Sequence, residues 1–157
     1  MTREEKFMKV AIALSEKGLT NNEGGPFGCI VVKGDEIVGR GNNKVTSTND
    51  PTAHAEIIAI RDACKNLETF QLEDCEIYTS CEPCPMCLGA IYWARPKAIY
   101  YANTRKDASS VGFDDSLIYD EIDMEITKRK IPMIHIEQAE ALKVFEHWKN
   151  KERKTRY

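Results

Sequence analysis

The sequence has no long hydrophobic run. Its longest stretch without a charged side chain extends only from Pro83 to Ala94, well short of the roughly 20 apolar residues that a helix needs to span a bilayer. Near the N-terminus, charged residues such as Arg3, Lys9 and Glu16 interrupt the apolar ones, so a secretory signal peptide is not expected. We therefore expect a cytoplasmic protein without a membrane segment.

The sequence also lacks an excess of positive charge. Lysine and arginine total 22 against 25 aspartates and glutamates, a formal net charge of −3, whereas nucleic-acid-binding domains are usually basic. Neither a nucleic-acid partner nor a membrane partner is therefore expected. The local exception is a basic segment at residues 149–156, which we interpret as a solvated helix end whose cations meet the negative pole of the helix dipole.

Six cysteines are present, but nothing in the sequence points to the oxidising compartment in which disulfides form. The thiols are expected to stay reduced, which makes metal binding or catalysis the first hypothesis. The chain has 157 residues, of which 42% are hydrophobic and 30% charged, as in globular proteins. With no repeat, low-complexity segment or linker, we expect a single domain over residues 1–157.

The apolar pattern predicts an alternation of helices and strands. The predicted helices cover residues 3–17, 51–67, 85–94, 116–123 and 137–149, the predicted strands 27–33, 36–41, 75–79, 97–102 and 132–136, and the polar stretches 42–50 and 103–115. Asp50 is the predicted N-cap of the second helix, and Pro51 is its predicted first helical residue. Gly34 and Asp35 suit a tight type II′ turn between the first two strands. The last helix is expected to bury Leu142, Phe145 and Trp148. This order of elements predicts an α/β fold in which helices cover the faces of a sheet.

Two cysteines lie three residues apart at the start of a predicted helix. If Pro85 is the first helical residue, Cys84 caps the helix, whose N-terminus would favour the thiolate that zinc needs. Sulfur and imidazole ligands suit zinc, whereas Mg²⁺ and Ca²⁺ prefer oxygen. Cys84 and Cys87 can therefore share one zinc ion. A redox dithiol, or two buried cysteines, would explain this pair of residues equally well.

A histidine elsewhere in the chain would complete the ligand set. With His54 the protein supplies three ligands, and three ligands plus a water is the composition of a catalytic zinc site. Cys81 is the candidate for a fourth ligand, which would close the site and make it structural. Glu56 argues against closure, because a carboxylate beside a metal-activated water is a general base. Since His54 and Glu56 are about 200° apart around a regular helix, spacing leaves open whether both face one ion.

The motifs are more specific together than apart. His-x-Glu followed by Pro-Cys-x-x-Cys is the signature of zinc-dependent nucleobase deaminases. The segments that carry a wider resemblance are GGPFG at 24–28, NDPTAHAE at 49–56, TSCEPCPMCLGAIYWARP at 79–96 and GFDDS at 112–116. On these segments the sequence resembles the cytidine deaminase superfamily. Within it, the FDDS segment and the terminal Tyr157 are most similar to the bacterial guanine deaminases.

The resemblance implies a fold and a reaction. The fold is a three-layer α/β/α sandwich around a central mixed sheet of about five strands. In the reaction His54, Cys84 and Cys87 bind Zn²⁺, which activates a water, and Glu56 shuttles its proton during hydrolysis of guanine to xanthine and ammonia. The resemblance also implies a homodimer in which the C-terminal segment is exchanged between subunits and Tyr157 caps the partner's active site.

The same resemblance assigns residues to the purine-binding site. Asn43 matches the family's purine-binding asparagine, and Phe27 and Trp93 are candidates to pack against the base. Asp115 matches a carboxylate near the leaving amino group and is the second candidate catalytic residue. Each also has an ordinary structural interpretation, as a turn asparagine, as core aromatics or as a surface acid.

Other functions stay open at this point. A tRNA adenosine deaminase shares the Pro-Cys-Pro-Met-Cys motif and would use the basic segment on RNA, although the net acidity weakens that hypothesis. A guanosine or cytosine deaminase would differ only in the pocket. The alternative from another class is a non-catalytic zinc module in which Cys81 is the fourth ligand.

Overall fold

Most helices and strands form in the predicted order. The computed structural model describes residues 1–157, which divide into two units, Met1–Ser116 and Leu117–Tyr157. The elements up to this boundary are α1 (Arg3–Thr20), β1 (Gly28–Lys33), β2 (Glu36–Asn42), α2 (Val45–Thr48), α3 (Ala55–Leu67), β3 (Cys75–Cys81), α4 (Pro85–Ala94), β4 (Ala98–Asn103) and α5 (Arg105–Ser110). At and beyond it lie α6 (Ser116–Asp123), a short 3-10 helix (Ile126–Lys128) and α7 (Ala139–Asn150). None of these helices is both long and apolar enough to cross a membrane.

The strands form one mixed sheet in the order β2-β1-β3-β4. β1 runs antiparallel to β2 and β3, whereas β3 and β4 are parallel. α1 covers one face of the sheet, and α3 and α4 cover the other, which confirms the three-layer α/β/α fold. The sheet has four strands rather than about five. Residues 132–136, predicted as a strand, form none and are not part of the sheet.

Alternating side chains of the central strands build two separate cores. Ile30 and Tyr78 point towards α1, and Val31 and Ile77 point towards α3, and all four are fully buried. A strand that is buried on both faces has a nearly continuous run of apolar residues, as β1 does. The same alternation decides which polar side chains of β3 face α3, where the candidate site lies.

A tight turn joins β1 to β2. Gly34 has a φ of 61°, while Asp35 is not among the residues with positive φ. Positive φ at the first central position alone is what a type II′ turn requires. The predicted turn is therefore confirmed.

α3 packs against β2 without room for a side chain between them. A Cβ atom at Gly39 would lie 2.7 Å from the Ala63 Cβ and would collide with the Ala59 carbonyl oxygen. Such a close approach of helix and strand backbones requires glycine on the strand. The position of α3 over the sheet is consequently held within narrow limits.

Side chains of α3 also cover the outer edge of β2. Asp62 Oδ2 accepts a hydrogen bond from the backbone N of Arg40, 2.9 Å away. Asn66 Nδ2, one turn later, donates to the carbonyl oxygen of Val38 at 2.9 Å. Unpaired groups at a sheet edge invite another strand, so these two bonds block addition on the β2 side and leave β4 as the open edge.

Three local predictions differ from the structure. α3 begins at Ala55 and not at residue 51, because Asp50 Oδ1 accepts from Thr52 N at 2.8 Å and from Thr52 Oγ1 at 2.7 Å, forming a turn in place of a helix cap. The polar stretch at 42–50 contains α2. The polar stretch at 103–115 contains α5, which the reciprocal hydrogen bonds of Thr104 and Asp107 start.

The second unit has no buried residue. Leu142, Phe145 and Trp148 of α7 are 61%, 75% and 43% exposed, so the expectation that this helix buries them is wrong for the single chain. Nothing within the second unit covers that face of α7. The basic segment at residues 149–156 supplies a cation to the negative end of α7, as expected. Lys154 Nζ donates to the carbonyl oxygens of Trp148 and Lys149 at the C-terminal end of the helix.

We expect Gly39→Ala to destabilise the protein by about 1–3 kcal/mol, because the added methyl overpacks the contact between α3 and β2. The measurement is the midpoint and slope of urea unfolding. Gly89→Ala is the matched control, since a Cβ at Gly89 meets nothing within 4 Å, and in the middle of α4 it should be neutral or stabilise by up to about 1 kcal/mol. Equal stability of both variants and the wild type would contradict the packing argument.

Candidate metal centre and active site

His54 precedes α3 and does not lie on it. It occupies the N-cap position, with extended backbone at φ −71° and ψ 155°, and the helix begins at Ala55. Glu56 follows in the first helical turn. The 200° separation expected for two positions on one helix therefore does not apply, and both side chains reach the same place.

Cys84 and Cys87 lie at the start of α4, as His54 and Glu56 lie at the start of α3. Cys84 is the N-cap, Pro85 is the first helical residue, and Cys87 lies in the first turn. Proline suits this position because its fixed φ is helical and its missing N–H needs no partner. The N-termini of α3 and α4 thus deliver the imidazole and both sulfurs to one point, where the positive ends of the helix dipoles favour thiolates.

The distances between these three side chains fit a tetrahedral metal ion. His54 Nδ1 lies 3.5 Å from Cys84 Sγ and 3.4 Å from Cys87 Sγ, and the three candidate ligand atoms all lie within 4.8 Å of one another. Ordinary zinc bond lengths and tetrahedral angles place a nitrogen and a sulfur ligand about 3.6 Å apart. One nitrogen and two sulfurs suit zinc and not Mg²⁺ or Ca²⁺.

The two thiols differ in how readily they ionise. Hydrogen bonding with Cys87 and then with His54 lowers the pKa of Cys84 to about 4. The same hydrogen bond with Cys84 and, as the second cause, burial raise the pKa of Cys87. Zinc ligation requires both thiols to be deprotonated, so a cation bound between the two sulfurs would supply the stabilisation that the Cys87 thiolate needs.

Glu56 lies against this group in a buried position. Its side chain is 6% exposed, and burial raises the pKa of its carboxyl group. Thr79 Oγ1 lies 3.3 Å from Oε1, and Cys87 Sγ lies 3.3 Å from Oε2. A carboxyl group with a raised pKa beside a metal site is suited to accept and return a proton.

Cys81 lies outside the group that meets the geometry of a metal site. Its Sγ is directed to the carbonyl oxygen of Thr104 at 3.7 Å, and burial raises its pKa to about 11. A closed site would need Cys81 as a fourth thiolate ligand. Three candidate ligand residues beside a buried carboxyl group match the composition of a catalytic zinc site and not that of a closed one.

Two of the candidate purine-binding residues lie at the loop before β1: Phe27 ends this loop, and Asn43, which follows β2, bonds to it. Asn43 is 6% exposed, and its Oδ1 accepts from the backbone N of Gly25 at 3.2 Å and of Val45 at 3.1 Å. Phe27 packs edge-on against Phe113, with 4.9 Å between ring centroids. The amide oxygen of Asn43 therefore holds local structure, which leaves only its Nδ2 for a ligand.

The other candidate residues are more exposed. Trp93 is 62% exposed at the end of α4. Asp115 forms an ion pair with Arg105, whose Nε lies 3.5 Å from Oδ1. Tyr157, in the second unit, is 70% exposed. The structure thus gathers His54, Cys84, Cys87 and Glu56 into one cluster. Asn43, Phe27 and Asp115 contact residues that do not belong to this cluster.

Sequence reasoning assigned no role to Thr79, Phe113 or Arg105. Thr79 gave a weak signal, as one of two adjacent hydroxyl residues in the buried part of β3, two residues before Cys81. Phe113 and Arg105 gave no such signal, because their partners Phe27 and Asp115 become neighbours only through the path of the chain after β4.

Comparison with known proteins agrees with this geometry. The family model of the cytidine and deoxycytidylate deaminase zinc-binding region matches residues 1–103. The chain belongs to this deaminase family. It is a zinc-dependent hydrolase of C–N bonds, and the His/Cys/Cys group is the candidate site for its Zn²⁺.

Within the family, the similarity to one relative extends over nearly the whole chain. The guanine deaminase of Bacillus subtilis (strain 168) is 54% identical over 98% of both chains. The X-ray structure of guanine deaminase from Bacillus subtilis superimposes with a TM-score of 0.95, again over 98% of both chains. The tRNA-specific adenosine deaminase of Aquifex aeolicus (strain VF5) is 41% identical over 69% of this chain and 72% of its own.

We expect Cys84→Ala to bring the zinc content of this deaminase well below about one ion per chain, because two ligands hold zinc far less tightly than three. Metal analysis after dialysis against a weak chelator measures this. Cys81→Ser is the matched control and should keep its zinc, since Cys81 lies outside the ligand group. Full zinc in Cys84→Ala, or loss in Cys81→Ser, would contradict the assignment.

Proposed function

We propose that the protein hydrolyses guanine to xanthine and ammonia. The observation that carries this proposal is the 54% identity to a guanine deaminase over 98% of both chains. The match continues well beyond residue 103, where the family model ends. The tRNA-specific adenosine deaminases are less similar, at 41% identity over 69% of the chain or 37% identity over 95% of it, so the higher identity favours guanine over a nucleotide in RNA.

His54, Cys84 and Cys87 are proposed to hold the zinc ion. Zinc at such a site acts as a Lewis acid and brings the pKa of water towards neutrality. The distances between His54 Nδ1 and the two sulfurs, 3.5 and 3.4 Å, support this assignment. Cys81 is given no part in binding the metal.

Glu56 is proposed to move the protons of the reaction. It takes a proton from the attacking water as the C–O bond to C2 of guanine forms, and gives it to the purine ring. The proton of the new hydroxyl group on C2 then passes through Glu56 to the amino nitrogen as the bond between C2 and that nitrogen breaks and the C2 carbonyl forms, so that guanine and water become xanthine and ammonia. Its burial and its position beside Cys87 suit this role.

Four residues of the first unit are proposed to select the base. Asn43 would donate from Nδ2 to a purine acceptor, since its Oδ1 already accepts two backbone hydrogen bonds. Phe27, supported by Phe113, and Trp93 would pack on the ring faces. Asp115, oriented by Arg105, would face the leaving amino group as the second catalytic residue.

We also propose a homodimer in which the second unit completes the domain of another copy. A segment of 41 residues without a single buried side chain has no core of its own. The apolar side chains it exposes include Ile131, Ile134, Ile136, Leu142 and Phe145. Exchange of such an element is a common route to dimers, and the open edge of β4 offers residues 131–136 the strand partner that they lack in the single chain.

In this dimer Tyr157 is proposed to cap the active site of the partner subunit. Residues 1–157 would then form one deaminase domain composed of two chains. We place the enzyme in the cytoplasm as part of the same proposal, because Cys84 and Cys87 must stay reduced to bind zinc.

We expect the zinc-loaded protein to release ammonia from guanine and not from guanosine, cytosine, adenine or a tRNA anticodon stem. Glu56→Gln should keep its zinc and its fold and lose at least about a hundredfold in kcat, because the amide cannot shuttle a proton. A coupled ammonia assay, with metal analysis of both proteins, measures this. Release from the tRNA stem alone would overturn the substrate, and full turnover by Glu56→Gln would remove that residue from the mechanism.

Subunit exchange has a complementation test. We expect the mass in light scattering to be twice the chain mass of 17.8 kDa, and removal of Tyr157 to lower guanine turnover. A heterodimer of one Glu56→Gln chain and one chain without Tyr157, purified with two tags, should recover about half of the wild-type turnover, since one of its sites has both residues. No recovery above the two parent homodimers would show that Tyr157 does not act across subunits.

A further inference from the structure

A threonine of β3 faces the same side of the sheet as the zinc-site residues. Thr79 pairs with Cys29 of β1 in the sheet register, and Cys29 belongs to the core beneath α3. Paired residues of neighbouring strands share a face, so the Thr79 side chain points towards α3, where Glu56 lies. Thr79 is 1% exposed, so its hydroxyl must find its partners within the protein.

The hydroxyl of Thr79 has two such neighbours. Its Oγ1 lies 3.3 Å from Glu56 Oε1 and 3.1 Å from the carbonyl oxygen of Cys81. The other oxygen of Glu56, Oε2, lies 3.3 Å from Cys87 Sγ, on the metal side. Thr79 therefore contacts the carboxyl oxygen that is turned away from the metal ligand.

We infer that Thr79 is the positioning residue for Glu56, and this inference rests on the proposed function. By holding Oε1, Thr79 sets the torsion of the carboxyl group and directs Oε2 towards the reacting groups. A carboxyl group turned by a few tens of degrees no longer aligns with the proton that it must take, and misalignment of this kind is costly to the rate. Thr79 itself touches neither the metal ligands nor the substrate in this role.

The contact does not compete with the proton transfer. A hydroxyl can donate one hydrogen bond and accept others. Because Glu56 exchanges its proton through Oε2, Oε1 remains an acceptor for the Thr79 hydroxyl throughout. The contact can thus persist through both halves of the proton shuttle.

The test compares Thr79→Val, which keeps the shape and removes the hydroxyl, with Thr79→Ser, which keeps the hydroxyl. We expect kcat of Thr79→Val to fall roughly ten- to a hundredfold, the usual effect of losing a hydrogen bond to a charged group. KM and zinc content should stay near the wild-type values. Thr79→Ser should recover kcat to within about threefold of the wild type.

Ser80→Ala is the matched control on the same strand. The Ser80 hydroxyl is also buried, but it accepts from the backbone N of Gly28 at 3.0 Å and has no contact with Glu56. Its removal should lower the melting temperature and leave kcat within about twofold of the wild type. An unchanged kcat in Thr79→Val, an equal loss in Thr79→Ser, or an equal loss in Ser80→Ala would overturn the inference.

If Thr79→Val does not fold, the pair Thr79→Ser and Thr79→Ala carries the same comparison, because these two variants differ by one hydroxyl. A readout that needs no substrate is the crystal structure of the zinc-loaded wild type and of the variant without the hydroxyl. We expect the Glu56 carboxyl group to rotate or to occupy two conformers in the variant, and an unmoved carboxyl group would overturn the inference.

Failure of the proposed function is visible separately. If the wild type deaminates another base, the ratio of variant to wild-type kcat is measured on that base. If the wild type has no turnover on any base offered, the proposed function fails, and the crystallographic comparison alone decides the role of Thr79.

Discussion

The site depends on two helix N-termini that lie over the same face of the sheet. α3 and α4 contact each other and share one hydrophobic core, and their N-cap positions are occupied by His54 and Cys84. A cap residue has extended backbone, so its side chain projects from the helix end and not from its flank. Two such ends side by side deliver an imidazole and a thiolate to one point, and the first turns add Glu56 and Cys87.

The contact between α3 and β2 sets where that point lies. The backbone of Ala55 and Ala59 and the Cβ of Ala63 lie directly over Gly39 and Gly41, and this close packing leaves the helix little freedom to slide. Because His54 immediately precedes the helix, the position of its backbone is restrained by the same contact. A catalytic group must be held to within a fraction of an ångström, and here the backbone contact of a helix on a strand provides that restraint.

The predicted elements succeeded where local chemistry is decisive and failed where it is ambiguous. Pro85 correctly predicted the start of α4, because the fixed φ and the missing N–H of proline suit the first helical position. The similar pair Asp50-Pro51 misled, since Asp50 bonds to Thr52 and forms a turn. Residues 132–136 carry a strand pattern but no strand, because a strand exists only through a neighbour. The exposed apolar face of α7 has the same origin, since burial depends on what another element or another chain supplies.

The sequence by itself determined the chemistry of this protein. One histidine, two cysteines three residues apart and one glutamate define a zinc-dependent deaminase, because metal preference and proton transfer are properties of side-chain types. Only the tertiary structure decided their geometry: that His54 caps its helix, that Cys81 turns to Thr104, and that Thr79 reaches Glu56. These relations join residues that are up to 23 positions apart in the chain, and the distance between such residues is set by the packing of helices on the sheet and not by local sequence.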